Sequence, residues 1–324
     1  MERAMSTYFK RTALVLALTA LVAACGKNEE QQAANKPAAA PAAAVVAPAA
    51  TPDQAILASV RALRANDLNA FFTAAMPAPE VAKMKTDWAK HMTEKPITDE
   101  DRKHFTEQMA KLTAPGAEDK LYAELEPQLK KFDQESAAQM PMLIAMGQGF
   151  VQSSIQQSKD LTDEQKKQSA ALVAAAGTWA QNVKFTDPAL VKAAIAAVCK
   201  TARDLNLKSL DEVRALSYDQ GMLKAGIALG GAKEILAVYG LKLDQALDSI
   251  KAETVNNGGD TAKVKVTYTA FDQPFTTESD LVKVDGKWYG KQAIEKWQKK
   301  VAEESAATAS PAQAPAPAPA PATK

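Results

Sequence analysis

Cys25 and Cys199 are the only thiols in this chain, and His91 and His104 are its only imidazoles. That inventory narrows the chemistry at once. Zinc sites need clustered cysteine or histidine ligands at short spacings. No His-x-x-x-His, His-Glu-x-x-His or Cys-x-x-Cys occurs, so no metal and no cofactor is expected. No Gly-x-Ser-x-Gly elbow is present to raise a nucleophilic serine. Gly226-Ile227-Ala228-Leu229-Gly230-Gly231-Ala232-Lys233 loosely resembles a phosphate loop. It lacks the spacing, the following Ser or Thr and a preceding strand, and reads better as a helix whose small residues allow a close neighbour. Asp99-Glu100-Asp101 could serve as an acidic site, but carboxylates at a helix start complement the helix dipole without further purpose. Cys199 ends the run Ala193-Ala194-Ile195-Ala196-Ala197-Val198, which suits a buried, inert thiol. No catalytic residue is expected, and an enzyme would need carboxylates that folding alone brings together.

Cys25 is different, because of what precedes it. Lys10 and Arg11 are followed by the uncharged run Ala13–Val22 and then by Ala23-Ala24-Cys25. Crossing the hydrocarbon core takes about 20 apolar residues. This run is shorter and gives way to Gly26, Lys27 and two glutamates, so it reads as a signal peptide. Val22-Ala23-Ala24-Cys25 resembles the lipobox of bacterial lipoproteins: an apolar residue, two small residues, then cysteine. The resemblance covers residues 1–26. It implies cleavage before Cys25, a diacylglycerol thioether on that sulfur and an acyl group on the new amino terminus. Cys25 is thus the expected lipidation site, and the membrane, reached through that lipid, the expected partner. Gly26, where an aspartate would mark inner-membrane retention, implies the outer membrane, with the protein facing the periplasm.

The whole chain carries a net charge of +1. Arg3, Lys10 and Arg11 against Glu2 give residues 1–24 a net +2, so the chain from Cys25 onward carries −1. A near-neutral protein without a basic stripe is not expected to bind nucleic acid. With Cys25 lipidated, Cys199 has no partner for an intramolecular disulfide.

Two low-complexity flanks bracket the part that can fold. Residues 25–51 are rich in Ala and Pro, and residues 303–324 end in Ala-Pro repeats. Neither offers enough apolar area for a core. Both read as disordered, a linker and a tail. Between them, residues 52–302 are expected to form one folded α+β body, mostly helical, with a C-terminal antiparallel meander of about four strands and a final helix. Helices are expected over 52–248. Their start signals are Thr51-Pro52-Asp53-Gln54, Thr98 to Asp101, Thr162 to Gln165, Asp187-Pro188 and Ser209 to Glu212. Asn66-Asp67, Pro115-Gly116 and Gly240 are expected breaks, and Pro127 a kink or break. Pro141 to Ile155 is apolar and rich in methionine. Met140, Met142 and Met146 read first as core filler and second as an adaptable binding surface.

The period changes near Ser249, and the sheet is expected over 249–290. Ala262, Val264, Val266, Tyr268 and Ala270 alternate with Lys263, Lys265, Thr267 and Thr269, which marks a half-buried strand. A turn at Asp272-Gln273-Pro274 leads to a second strand, Phe275 to Val284. Asp285-Gly286 signals a tight hairpin returning through Lys287-Trp288-Tyr289. A helix over 292–302 follows, resting on the sheet through Ile294 and Trp297. Tyr268, Phe271, Phe275, Trp288 and Tyr289 read as core and edge residues of this sheet, or as the lining of a small apolar cavity.

Val60 to Leu68, Gly259-Asp260-Thr261-Ala262-Lys263-Val264-Lys265-Val266 and Val284-Asp285-Gly286-Lys287-Trp288-Tyr289 resemble segments of nuclear-transport-factor-two-like bacterial lipoproteins. The resemblance implies a helix lying on a curved sheet. It touches only the two ends of the folded part, and the helical stretch between them exceeds what that fold contains. Taken together, the lipobox and the missing catalytic motifs lead to an expectation of a non-catalytic envelope lipoprotein. It would bind another envelope component or support envelope integrity. The alternative is an immunity or inhibitor lipoprotein that neutralises a periplasmic toxin or wall hydrolase.

Overall fold

The computed structural model describes residues 51–159 and 161–309. The expected signal peptide, Cys25, the linker up to residue 50 and the tail from residue 310 lie outside the described residues. Within them the chain is α+β, as the sequence pattern implied: a helical body followed by a four-stranded antiparallel sheet and a closing helix.

α1 (Pro52–Arg64) starts with proline at its first position, where no amide hydrogen is needed. Thr51 makes no capping bond to the backbone. Instead Asp53, in the first turn, accepts a hydrogen bond from the Thr254 hydroxyl at 3.1 Å. The chain turns at Asn66, in the left-handed region with φ 58°. Asp67 then caps α2 (Leu68–Ala75) through the amide of Ala70. α3 (Ala78–Thr93) follows, then α4 (Asp99–Thr113), opened by a reciprocal capping box between Thr98 and Asp101. Gly116, with φ 68°, makes the corner into α5 (Ala117–Glu135). α5 is not broken at Pro127. Its apolar face, Leu121, Leu125 and Leu129, joins one cluster with α8 and holds the helix in register past the proline.

After a short 3₁₀ turn come α6 (Met140–Gln157) and α7 (Asp163–Asn182), the latter opened by a Thr162–Gln165 capping box. α8 (Pro188–Leu205) is capped by Asp187, and α9 (Leu210–Arg214) by Ser209. α10 (Tyr218–Val238) is opened by a Ser217–Gln220 capping box and stops before Gly240, φ 90°. α11 (Leu243–Asp248) ends the helical body.

α10 runs through the centre, against α8 on one side and α2 on another. Trp88 of α3, Leu68, Tyr218, Met222 and Ala225 form one buried cluster. The Trp88 indole donates to the Leu216 carbonyl at 2.7 Å and meets Tyr218 edge-to-face. That bond satisfies the polar end of a large ring otherwise removed from water. Ala117, Leu121, Val191, Ile195 and Cys199 make a second cluster between α5 and α8.

The sheet has the order β1 (Lys251–Asn257), β2 (Thr261–Ala270), β3 (Gln273–Val284), β4 (Lys287–Gly290). Its inner face is Ala262, Val264, Val266, Leu281 and Trp288, packed on Ala55 and Ile56 of α1. The alternation in β2 therefore points as its sequence implied. The β2–β3 turn does not fall at Asp272-Gln273-Pro274. It is the two-residue turn Phe271-Asp272, with φ 52° and 59°. Gln273 pairs with Ala270 and Pro274 with Thr269, inside the strand. Proline is tolerated because β4 pairs only with Leu281 to Val284, so Pro274 needs no amide toward that side. Asp285-Gly286, φ 50° and 78°, is the tight β3–β4 hairpin. α12 (Lys291–Ala309) buries Ile294 and half-buries Trp297. It extends past the expected end at residue 302. Its continuation is rich in Ala and Glu, both strong helix formers, and the next proline is Pro311.

Candidate functional site

The residues singled out in the sequence fall mostly into caps, ion pairs and packing among the described residues. No group of three or more His, Cys, Asp or Glu residues is placed to hold a metal ion among the described residues. His91 and His104 lie on separate helices, α3 and α4. Asp101 closes the α4 capping box, and the Thr98 hydrogen bonds hold its carboxyl below the usual range. Asp99 and Asp211 both engage Arg102. Asp101 thus starts α4, Asp99 pairs with Arg102, and Arg102 ties α4 to α9 through Asp211.

Gly226 to Lys233 is the middle of α10 and not a loop. A methyl group on Gly226 would collide with the Asn66 carbonyl, and one on Gly231 with the Thr201 side chain. These glycines let α10 approach the α1–α2 corner and α8 closely. Lys233 is buried; its ammonium donates to the Leu63 carbonyl at 2.6 Å and lies 2.7 Å from Asp244. It closes the end of α1 and holds α11 to it, with no open side for an anion. Cys199 is fully buried, and burial raises its thiol pKa, with a further rise from the Glu118 charge opposed by Arg203. A buried, protonated thiol is a poor nucleophile.

The aromatic residues of the sheet fall mainly into packing roles. Trp288 and Tyr289 are buried, and Tyr268 stacks on Phe275 with centroids 5.5 Å apart. Phe271, at the turn, meets Trp179 of α7 at 6.0 Å. Two hollows open elsewhere on the surface. One, about 420 Å³, is lined by Met109, Thr113, Arg203, Asn206 and Lys208 among others. Its guanidinium is already committed to Glu118, at 2.6 and 3.1 Å. The other, about 300 Å³, lies at the β1–β2 turn beside Lys263 and Asp280, which pair with each other.

What stands out is α6. The methionine-rich segment does not fill a core. No residue of α6 is buried. Ile144, Gln148, Gln152 and Ile155 are half-buried toward α7, where the Gln148 side chain lies over Gly177. α7 in turn packs on β3, through the Thr277 hydroxyl to Gln168 at 2.6 Å. α6 is the outermost layer of this stack, and no described residue covers its far face. Met142 is 61% exposed, Met146 63% and Phe150 75%, with Leu143 and Val151 beside them at 48% and 43%. Leu143, Phe150 and Val151 were not singled out in the sequence. The signal that could have found them is charge: no Asp, Glu, Lys or Arg occurs between Glu135 and Lys159, in a chain where 24% of residues are charged. Large apolar patches of this kind mark interaction surfaces.

Val60 to Leu68 spans the end of α1 and its turn into α2, Gly259 to Val266 the start of β2, and Val284 to Tyr289 the β3–β4 hairpin. Comparison with protein-family models, with curated proteins and with solved structures finds no match to this chain.

Proposed function

We propose that this protein is a lipid-anchored, non-catalytic component of the bacterial envelope that works by binding. The chain is held at the outer membrane through Cys25, faces the periplasm, and presents the outer face of α6 to another envelope component. The observation that carries this reading is the uncharged, apolar and uncovered face formed by Met142, Leu143, Met146, Phe150 and Val151. The lipobox-like Val22-Ala23-Ala24-Cys25 supports the address. Support for a non-catalytic role comes from how the polar groups are used. Asp99, Asp101, Asp244, Glu118, Lys233 and Arg203 are engaged in caps and ion pairs that hold helices together.

The address is tested by feeding cells an alkyne fatty acid. The wild-type protein takes up label and shifts to the size of the chain from residue 25 onward. Globomycin makes the uncut precursor accumulate. Cys25→Ser abolishes labelling, and Cys199→Ser leaves it unchanged. Labelled Cys25→Ser protein, or unlabelled and freely soluble wild type, overturns the anchor. The non-catalytic role is tested on soluble Cys25→Ser protein, whose turnover of any substrate in a broad hydrolase panel overturns it.

A further inference from the structure

We infer that the envelope component covering the outer face of α6 is the lipid bilayer itself, with α6 lying along its surface as a second contact beside the lipid on Cys25. This rests on the anchored reading proposed above.

Charge argues first for lipid. A helix that faces water carries charged or polar residues along its outer side. α6 carries no charge, its exposed polar side chains Ser153, Ser154, Gln156 and Gln157 sit at its C-terminal end, and its charge-free stretch runs past both of its ends, from Ser136 to Ser158. Charged groups are what the hydrocarbon region excludes. Patch size points the same way. At these exposures the five side chains offer on the order of 500 Å² of apolar surface, short of the about 800 Å² per partner of a stable pairwise interface. A contact of that size suits a protein already held close to its target, where binding is effectively intramolecular. Reach permits it. Thr51 follows Cys25 by 26 residues. At no more than ~3.6 Å per residue, the folded part stays within ~90 Å of its anchor.

The geometry fits lying on a bilayer and not crossing it. No helix of the described residues is long and apolar enough to span a membrane. The inner side of α6 is occupied by α7, so only one face is free to enter the headgroup boundary. Phe150 and the flexible thioethers Met142 and Met146 supply apolar bulk that adapts to disordered acyl chains.

The test uses the mature lipidated protein with Phe150→Cys, labelled by bimane. The Cys25 thiol is consumed by its lipid and Cys199 is fully buried, so the label goes to one place. A second protein carries the label at Glu253→Cys, on exposed β1. Both are reconstituted into vesicles of phosphatidylethanolamine and phosphatidylglycerol, and unchanged circular dichroism confirms folding. The expected result is blue-shifted emission at 150, quenched by nitroxide-bearing lipids about threefold more strongly than at 253, as for a face set ~5–10 Å into the boundary. Water-like emission at 150 in protein that floats with the vesicles overturns the inference and leaves the anchor standing. Unlabelled Phe150→Cys protein that forms a 150–150 disulfide dimer on mild oxidation, with no nitroxide quenching of the labelled protein, also overturns it, because a second copy then covers the face. If the wild type proves to carry no lipid, the anchor fails on its own account. Cys25→Ser protein labelled at 150 and added to vesicles from solution then decides α6: flotation with a blue shift upholds the contact, and no flotation ends it.

Discussion

Asp53 and Thr254 stand 201 residues apart in the chain and share a hydrogen bond of 3.1 Å that ties the first turn of α1 to β1. Burial pushes the Asp53 carboxyl up, but hydrogen bonds from Thr51, Thr254 and nearby backbone amides outweigh it and hold the pKa below the usual carboxylate value. A carboxyl depressed on folding stabilises the folded state above its unfolded pKa, about 3.9. That contribution is lost as pH falls through the lower, folded value. Asp53→Asn should therefore lower stability at pH 7 and matter progressively less below about pH 4. Urea unfolding of the soluble Cys25→Ser protein at both pH values checks this. An equal loss at pH 7 and in acid would mean the charge of Asp53 contributes nothing.

Gly226 and Gly149 should respond to alanine with opposite signs. Both are helical, so alanine gains about 1 kcal/mol of helix propensity at either place. At Gly226 the new methyl group meets the Asn66 carbonyl, which is backbone and cannot swing away. Overpacking of that kind costs about 1–3 kcal/mol, so Gly226→Ala should be destabilising on balance. Gly149 faces open space, and Gly149→Ala should raise the unfolding midpoint. Thermal unfolding of the two variants side by side reads the sign directly.

Lys233→Met keeps the stem of the side chain and removes its charge. The Leu63 carbonyl then loses its donor, and Asp244 loses one ion-pair partner but keeps Arg64 at 3.2 Å. Leaving a buried acceptor unsatisfied costs about 1–3 kcal/mol. Denaturant unfolding should show a loss of that order with an unchanged slope. A neutral result would mean that α1 and α11 hold together without this lysine.

Cys199 should resist iodoacetamide in the native protein and react once the chain is unfolded in urea. Its burial blocks the reagent, and its raised pKa leaves little thiolate at neutral pH. Cys199→Ser puts a hydroxyl among Ala117, Leu121, Val191 and Ile195, and should cost about 1–3 kcal/mol. Mass spectrometry before and after unfolding gives the first answer. Rapid native labelling would show that α5 and α8 open readily.

Local signals carried most of the element plan. Capping boxes at Thr98 and Thr162 act within four residues, and two-residue alternation in β2 sets which side chains face inward. These are short-range physics, so Asp285-Gly286, the α1–α2 corner and the order of helices followed by a meander could be read along the chain. The proposed signal peptide and lipobox at Cys25 rest on the same kind of reading, a motif of adjacent residues, and lie outside the described residues. One turn was misread: the β2–β3 turn moved to Phe271-Asp272, where Phe271 meets Trp179. At Pro127, where a kink or break was expected, the helix is not broken, and Leu121, Leu125 and Leu129 meet α8 on both sides of the proline. The candidate site itself was decided by tertiary structure alone. An apolar stripe of Met, Leu and Phe looks the same in sequence whether a neighbour covers it or not. Burial depends on which other elements arrive, and among the described residues α6 packs mainly on α7, which leaves Met142, Met146 and Phe150 exposed.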